Sequence, residues 1–103
     1  MLRVEFTGQF KKDYKLALKR GCDPKELETV ITLLANEQPL PEKYRDHALT
    51  SSRNYKDMRE CHIEPDWLLV YKVLNETLIL RLIRTGSHSD LPACIHPQKI
   101  KLS

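Results

Sequence analysis

Three histidines, His47, His62 and His88, offer groups that gain and lose protons near neutrality, because the unperturbed imidazole pKa is about 6.5. Asp46, Arg59, Asp66, Trp67, Arg81 and Arg84 accompany them in the C-terminal two thirds of the chain. Together these residues supply an acid and a base, fixed cations and an aromatic platform. Cleavage of RNA without a metal asks for that set: the ribose 2′-OH loses a proton as it attacks phosphorus, the 5′ oxygen gains one, and cations stabilise the charge between them. A chain with four histidines can also carry them as ordinary surface residues, so residue types alone leave both readings open. Zinc coordination by His47, His62, His88 and Asp66 is a third reading. No pair among them has the short spacing of a zinc motif, and no metal is expected. Cys61 and His62 are neighbours on a predicted strand and point to opposite faces, which argues against a thiolate-imidazole dyad and makes Cys61 a small buried residue.

A second group with possible chemistry is Lys11, Lys12, Lys15 and Lys19, followed by Arg20, with Asp13 as the one acidic residue among them. Lys11, Lys15 and Lys19 recur every four residues, so on a helix their ammonium groups line one face and can track a phosphate backbone. A solvated helix face is the plainer alternative. The segment from Asp23 to Asp46 holds six acidic and three basic residues, so charge is polarised along the chain.

The elements that must position these residues follow from periodicity. Leu2 to Phe6 alternates apolar and charged, the period of a half-buried strand. Phe10, Tyr14, Ala17 and Leu18 recur at helical spacing between Gln9 and Arg20, with Gly21 placed as a C-terminal cap. Asp23-Pro24-Lys25-Glu26 supplies an N-cap, a proline at the first helical position and a carboxylate three residues after the cap. The second helix therefore starts there, buries Leu27, Val30, Ile31 and Leu34, and stops by Glu37 ahead of Pro39 and Pro41. Pro39 to Asn54 reads as a long polar connection. Strands are predicted at Tyr55 to Ile63, Trp67 to Leu74 and Thr77 to Ile83, with turns at Glu64-Pro65-Asp66 and Asn75-Glu76 and a polar turn from Arg84 to Ser87. Trp67 to Val73 is apolar on both parities, as a central strand covered on both faces requires. The expected fold is α+β: two N-terminal helices on a largely antiparallel four-stranded sheet, in the order β-α-α-β-β-β.

The 103 residues form one domain, spanning 1–91, with a loosely attached tail at 92–103. Seventeen Lys and Arg against fourteen Asp and Glu give a net charge of +3, too mild by itself to define a partner. The 41% apolar content excludes a disordered chain. No apolar run approaches the roughly 18 residues of a membrane span, and no secretory leader is recognisable, so a cytoplasmic protein without membrane contact is expected. Cys22, Cys61 and Cys94 are odd in number and far apart, and are read as reduced thiols.

Three segments carry a resemblance: Asp46-His47-Ala48-Leu49, the run from Arg59-Glu60-Cys61-His62 through Trp67 to Lys72, and Arg84-Thr85-Gly86-Ser87-His88. They closely resemble the YafQ branch of the RelE-like bacterial toxins, and the resemblance extends from Met1 to about Leu91. It implies an mRNA interferase of a type II toxin-antitoxin pair that enters the A site of the 70S ribosome and cuts mRNA there, without a cofactor. By this resemblance the catalytic positions are His47, His62, Asp66, Trp67, Arg84 and His88. His88 is then the general acid and Asp66 or His47 the general base; His62 and Arg84 orient and stabilise the phosphate; Trp67 stacks on a base or supports the site. Arg59, Arg81 and the lysines of the first helix join Trp67 as substrate-binding candidates. The implied partner is a cognate antitoxin of the ribbon-helix-helix class. One departure stands out: the family's terminal aromatic residue aligns with Pro92, and stacking from that position is lost unless Trp67 or His96 compensates. Two other expectations stay open, a catalytically weak RNA- or antitoxin-binding relative and a ParE-like toxin acting on gyrase, although the latter lacks this histidine set.

Overall fold

The computed structural model describes residues 1–49 and 57–91. The elements are β1 (Arg3–Phe6), α1 (Gly8–Lys19), α2 (Pro24–Ala35), a 3₁₀ turn (Glu42–Tyr44), β2 (His47–Ala48), β3 (Arg59–Glu64), β4 (Trp67–Leu74) and β5 (Ile79–Gly86). The sheet runs β1-β5-β4-β3-β2. All neighbours are antiparallel except β1 and β5, which run parallel. The expected α+β class holds, with two corrections. The sheet has five strands rather than four, because His47 and Ala48 pair with Glu60 and Arg59; a two-residue strand has no period to read and exists only through its partner. The last strand continues to Gly86, so Arg84 and Thr85 belong to it and not to a turn. The expected tail at 92–103 with Cys94, residues 50–54 of the expected connection, and Tyr55 and Lys56 at the start of the next expected strand lie outside the described residues.

Both helix starts follow their local chemistry. Thr7 caps α1 by accepting from the Phe10 amide, and Asp23 caps α2 by accepting from the Lys25 amide with Pro24 at the first helical position. Phe10 and Ala17 of α1 and Leu27, Val30 and Leu34 of α2 pack on Cys61, Leu69, Tyr71, Leu80 and Leu82 of the sheet. The opposite face is covered more sparsely, by Leu49, Leu68, Val70 and Leu91 with Met58 and Ile83 against them. Residues of β4 from Trp67 to Tyr71 are all buried, alternating between these two clusters. Among the described residues no helix is long and apolar enough to cross a membrane.

The join between α1 and β5 fixes the end of the sheet that carries the histidines. Strand β1 stops at Phe6 opposite Leu82, which leaves the following amides of β5 without a strand neighbour on that side. Asp13 of α1 takes over: its carboxylate accepts from the Thr85 amide at 3.1 Å and from Arg84 Nε at 2.7 Å. Thr85 in turn accepts from Trp67 Nε1 at 2.8 Å and donates to the Leu68 carbonyl at 2.7 Å. Truncating Asp13 to Ala would remove the carboxylate that a buried amide and a half-buried guanidinium share. The expected cost is about 2–4 kcal/mol, measurable as a shift of the urea midpoint at unchanged slope.

Candidate active site

The pairing register assembles the site. His47 is opposite Glu60, which is opposite Val70; one step along, His62 is opposite Leu68, which is opposite Gly86. Cross-strand partners share a face, so His47, Glu60 and His62 stand together on the face away from the helices. A tight turn at Pro65-Asp66 and the segment after Gly86 bring Asp66 and His88 to the same end. The His47 and His62 rings are 6.3 Å apart, and the His62 and His88 rings 5.5 Å. The three histidines named from sequence thus form one row.

Beside two of these histidines, His47 and His62, is a residue that the sequence did not single out. Glu60 is 0% exposed, and neither carboxylate oxygen has a hydrogen-bond partner among the described residues. Its Oε1 is 3.4 Å from His47 Nε2 and 3.9 Å from His62 Nε2. Burial pushes the Glu60 carboxyl above its ordinary range, while positive charge on His47 and His88 opposes that rise. The signal for Glu60 was its position two residues before His62, which places both side chains on one face of a strand.

Each imidazole has a distinct setting. His47 Nδ1 is 2.7 Å from the Arg45 carbonyl; since a carbonyl accepts, Nδ1 carries the proton and Nε2 faces Glu60. The His62 side chain is 15% exposed, and burial, with the neighbouring His88 and His47, lowers its pKa, favouring the neutral form. His88, 34% exposed at its side chain, places Nδ1 at 2.6 Å from Asp66 Oδ1, and its backbone amide donates to the same oxygen at 2.9 Å. Those two donated bonds hold the Asp66 carboxyl below its ordinary range. A lowered pKa suits Asp66 to orienting His88 rather than to taking a proton from substrate.

The other candidates are dispersed. Trp67 is 3% exposed in the main core, with its indole N–H on Thr85; the geometry suits it to supporting the site, not to offering a stacking face. Arg59 donates to Asp46 at 3.0 Å, and Tyr71 OH also bonds Asp46, which anchors the backbone next to His47. Arg84 reaches Asp13, and Arg81 pairs with Glu5 on β1. Arg81 lies five residues before Gly86, or about 16 Å along the strand. Lys11, Lys12, Lys15 and Lys19 are exposed on α1; Lys11 and Lys15 flank an apolar groove formed with Phe6, Phe10, Tyr14 and Ile31. Cys61 is buried and its thiol pushed upward by that burial. Among the described residues no group of three or more His, Cys, Asp or Glu is arranged to hold a metal ion.

Beside the row, a cleft of about 450 Å³ is lined by His62 and His88, by Lys43, Tyr44 and Arg45, and by Glu26, Ile63, Glu64 and Pro65.

Comparison with known proteins supplies a context for this arrangement. The family described as the bacterial toxin of type II toxin-antitoxin system, YafQ, matches residues 2–93. The mRNA interferase toxin YafQ of Escherichia coli is 48% identical over 89 residues, covering 85% of this chain and 92% of that protein. A putative toxin YafQ of Haemophilus influenzae is 36% identical over 94 residues, covering 86% and 90%. Among solved structures, the Escherichia coli DinJ-YafQ complex superposes with a TM-score of 0.78 at 47% identity, covering 88% of this chain and 98% of that one. A metal-bound toxin from Helicobacter pylori gives 0.82 at 48% identity, covering 88% and 99%.

The buried carboxyl has a thermodynamic signature. A group whose folded pKa is raised holds its proton more tightly in the native state. Its contribution is therefore complete below the unfolded value of about 4.5 and is lost as pH rises through the folded value. Depression of the His62 pKa acts in the opposite sense, removing stability as pH falls below about 6.5. Glu60→Gln removes only the first effect. Urea unfolding from pH 4 to 8 should show E60Q gaining on the parent as pH rises from 4.5, with the gap level once the parent's carboxyl is ionised. A gap that does not change with pH would contradict the assignment.

Proposed function

Because the chain belongs to the YafQ family of bacterial toxins of type II toxin-antitoxin systems, we propose that it is an mRNA interferase, an endoribonuclease that cuts mRNA in the A site of the 70S ribosome. The observation that carries this reading is the row of three imidazoles on the buried Glu60, with His88 tethered to Asp66.

The division of labour follows from the setting of each imidazole. His88 Nδ1 is oriented by Asp66, and His88 is assigned as the general acid that delivers a proton to the departing 5′ oxygen. His47 Nδ1 is held by the Arg45 carbonyl, and its Nε2 faces Glu60. The His47–Glu60 pair is the general base: His47 Nε2 accepts the proton of the ribose 2′-OH, and the adjacent Glu60 carboxylate balances the charge of the imidazolium that forms. His62, kept neutral by burial and by its two imidazole neighbours, lies between acid and base and positions the phosphate. Asp66 acts through His88, and Trp67 through Thr85 and the β4–β5 pairing. All proton transfers are assigned to side chains of the chain itself, so metal-independent cleavage is the expectation. The exposed lysines of α1 are assigned to ribosomal RNA or to the substrate backbone.

A similar Escherichia coli toxin is solved as a complex with DinJ, which supports a cognate antitoxin as partner here; the ribbon-helix-helix class is the expectation for it.

Purified protein added to programmed 70S ribosomes should cut the A-site codon, and His88→Ala should lower the single-turnover rate by roughly 10²-fold or more without weakening ribosome binding. The parent rate should fall at alkaline pH as the acid loses its proton, and H88A should lose that fall. Because a similar Helicobacter pylori toxin is solved with metal bound, the assay is repeated with a zinc-selective chelator and with added zinc or copper. Cutting that disappears on chelation and returns with metal would replace this scheme with a coordination mechanism.

A further inference from the structure

The cations expected to meet the scissile phosphate are each held elsewhere by a carboxylate: Arg59 by Asp46, Arg84 by Asp13 and Arg81 by Glu5. Attack on phosphorus nonetheless concentrates negative charge on the non-bridging oxygens beside His62 and His88, and a site that accelerates the step supplies positive charge there. We propose that Arg45 is the phosphate-binding cation of this site, with Lys43 extending the grip to the neighbouring phosphodiester; the proposal rests on the nuclease reading above.

Position and charge carry it. Arg45 lines the cleft that His62 and His88 also line. Its side chain is exposed, and it makes no ion pair among the described residues. Its positive charge is felt at His62, where it adds to the forces disfavouring protonation. Glu26 and Glu64 line the same cleft; their repulsion of a phosphodiester leaves Arg45 and Lys43 as the anchoring groups. Lys43 Nζ lies 5.1 Å from the centre of the Tyr44 ring, which steadies its charge at the rim.

The backbone of Arg45 makes its side chain separable from the turn. It adopts φ 49° and ψ 44°, in the left-handed region that Glu37, Asp57 and Leu78 also occupy among the described residues. Asn or Gly would cap the 3₁₀ turn with less strain. The turn needs only the backbone there: the Arg45 amide donates to the Glu42 carbonyl at 2.9 Å, and the Arg45 carbonyl receives the His47 Nδ1 proton. The turn therefore does not need the side chain, which lines the cleft together with His62 and His88.

Arg45→Gly separates side chain from backbone, since it keeps the carbonyl that fixes His47 and relieves the left-handed strain. On programmed 70S ribosomes R45G should show single-turnover cleavage reduced by about 10²-fold or more, together with a melting temperature equal to or above the parent's. R45K, which restores charge without the planar fork, should recover part of the rate. Should glycine loosen the turn and lower the melting temperature, Arg45→Asn, which tolerates the same backbone and keeps a Cβ, decides in its place. R45G or R45N cutting within threefold of the parent while folded overturns the assignment. A parent that cuts nothing overturns the nuclease reading, and this assignment with it.

Discussion

A carboxylate taken wholly out of water must be paired, protonated or tolerated at a cost of several kcal/mol. Glu60 is placed in that position at the second residue of β3, with no hydrogen-bond donor on either oxygen among the described residues and with His47 Nε2 and His62 Nε2 at 3.4 and 3.9 Å from Oε1. Much of the site's geometry can be read as a response to this one group. The two residues of β2 pair with β3 so that His47 faces it. Asp46, held by Arg59 and Tyr71, anchors the backbone that presents His47, and the Arg45 carbonyl sets the tautomer that directs Nε2 inward. A carboxyl raised by burial thus stands beside two imidazoles.

Two clamps hold the remaining parts around that centre. Asp66 accepts from both the ring and the backbone of His88. Asp90 accepts from the Ser87 amide and from Arg20, the C-cap of α1, and its side chain occupies the space that a Cβ on Gly86 would need, 2.9 Å from the nearest carboxylate oxygen. Position 86 is therefore restricted by packing, and the close approach fixes how the chain leaves β5 toward His88. Such double anchoring of an exposed residue reduces the ordering entropy that substrate binding would otherwise have to supply.

The elements with strong local signals were legible in the sequence. Asp23-Pro24 marks the start of α2, and the two-parity apolar run of β4 matches its burial between two clusters. His47, His62 and His88 were identified by residue type, and the structure gathers them. What the sequence did not disclose was set by tertiary pairing. His47–Ala48 is a strand only because β3 lies beside it. Arg84 and Thr85 look like turn residues, yet Asp13, 71 residues earlier, completes their hydrogen bonding. Arginines at 59, 81 and 84 read as available charge until their carboxylate partners appear, and those partners are 13, 76 and 71 residues away. Trp67 has a similar history: its indole looks like a platform in sequence and is a core residue in space.

The place of β5 in the sheet has a consequence for synthesis. The fifth strand to be made lies between the first and the fourth, and its pairing with β1 is parallel. A nascent chain that has extruded both helices and β4 still has a gap in the sheet, with the β5-facing edge of β1 unpaired and the segment bearing His88 unformed. Closing that gap joins residues more than seventy positions apart, a high-contact-order step that follows rather than accompanies elongation. The topology therefore delays assembly of the histidine row until β5 has cleared the exit tunnel, and the ribosome making this chain finishes that strand before it meets an assembled toxin.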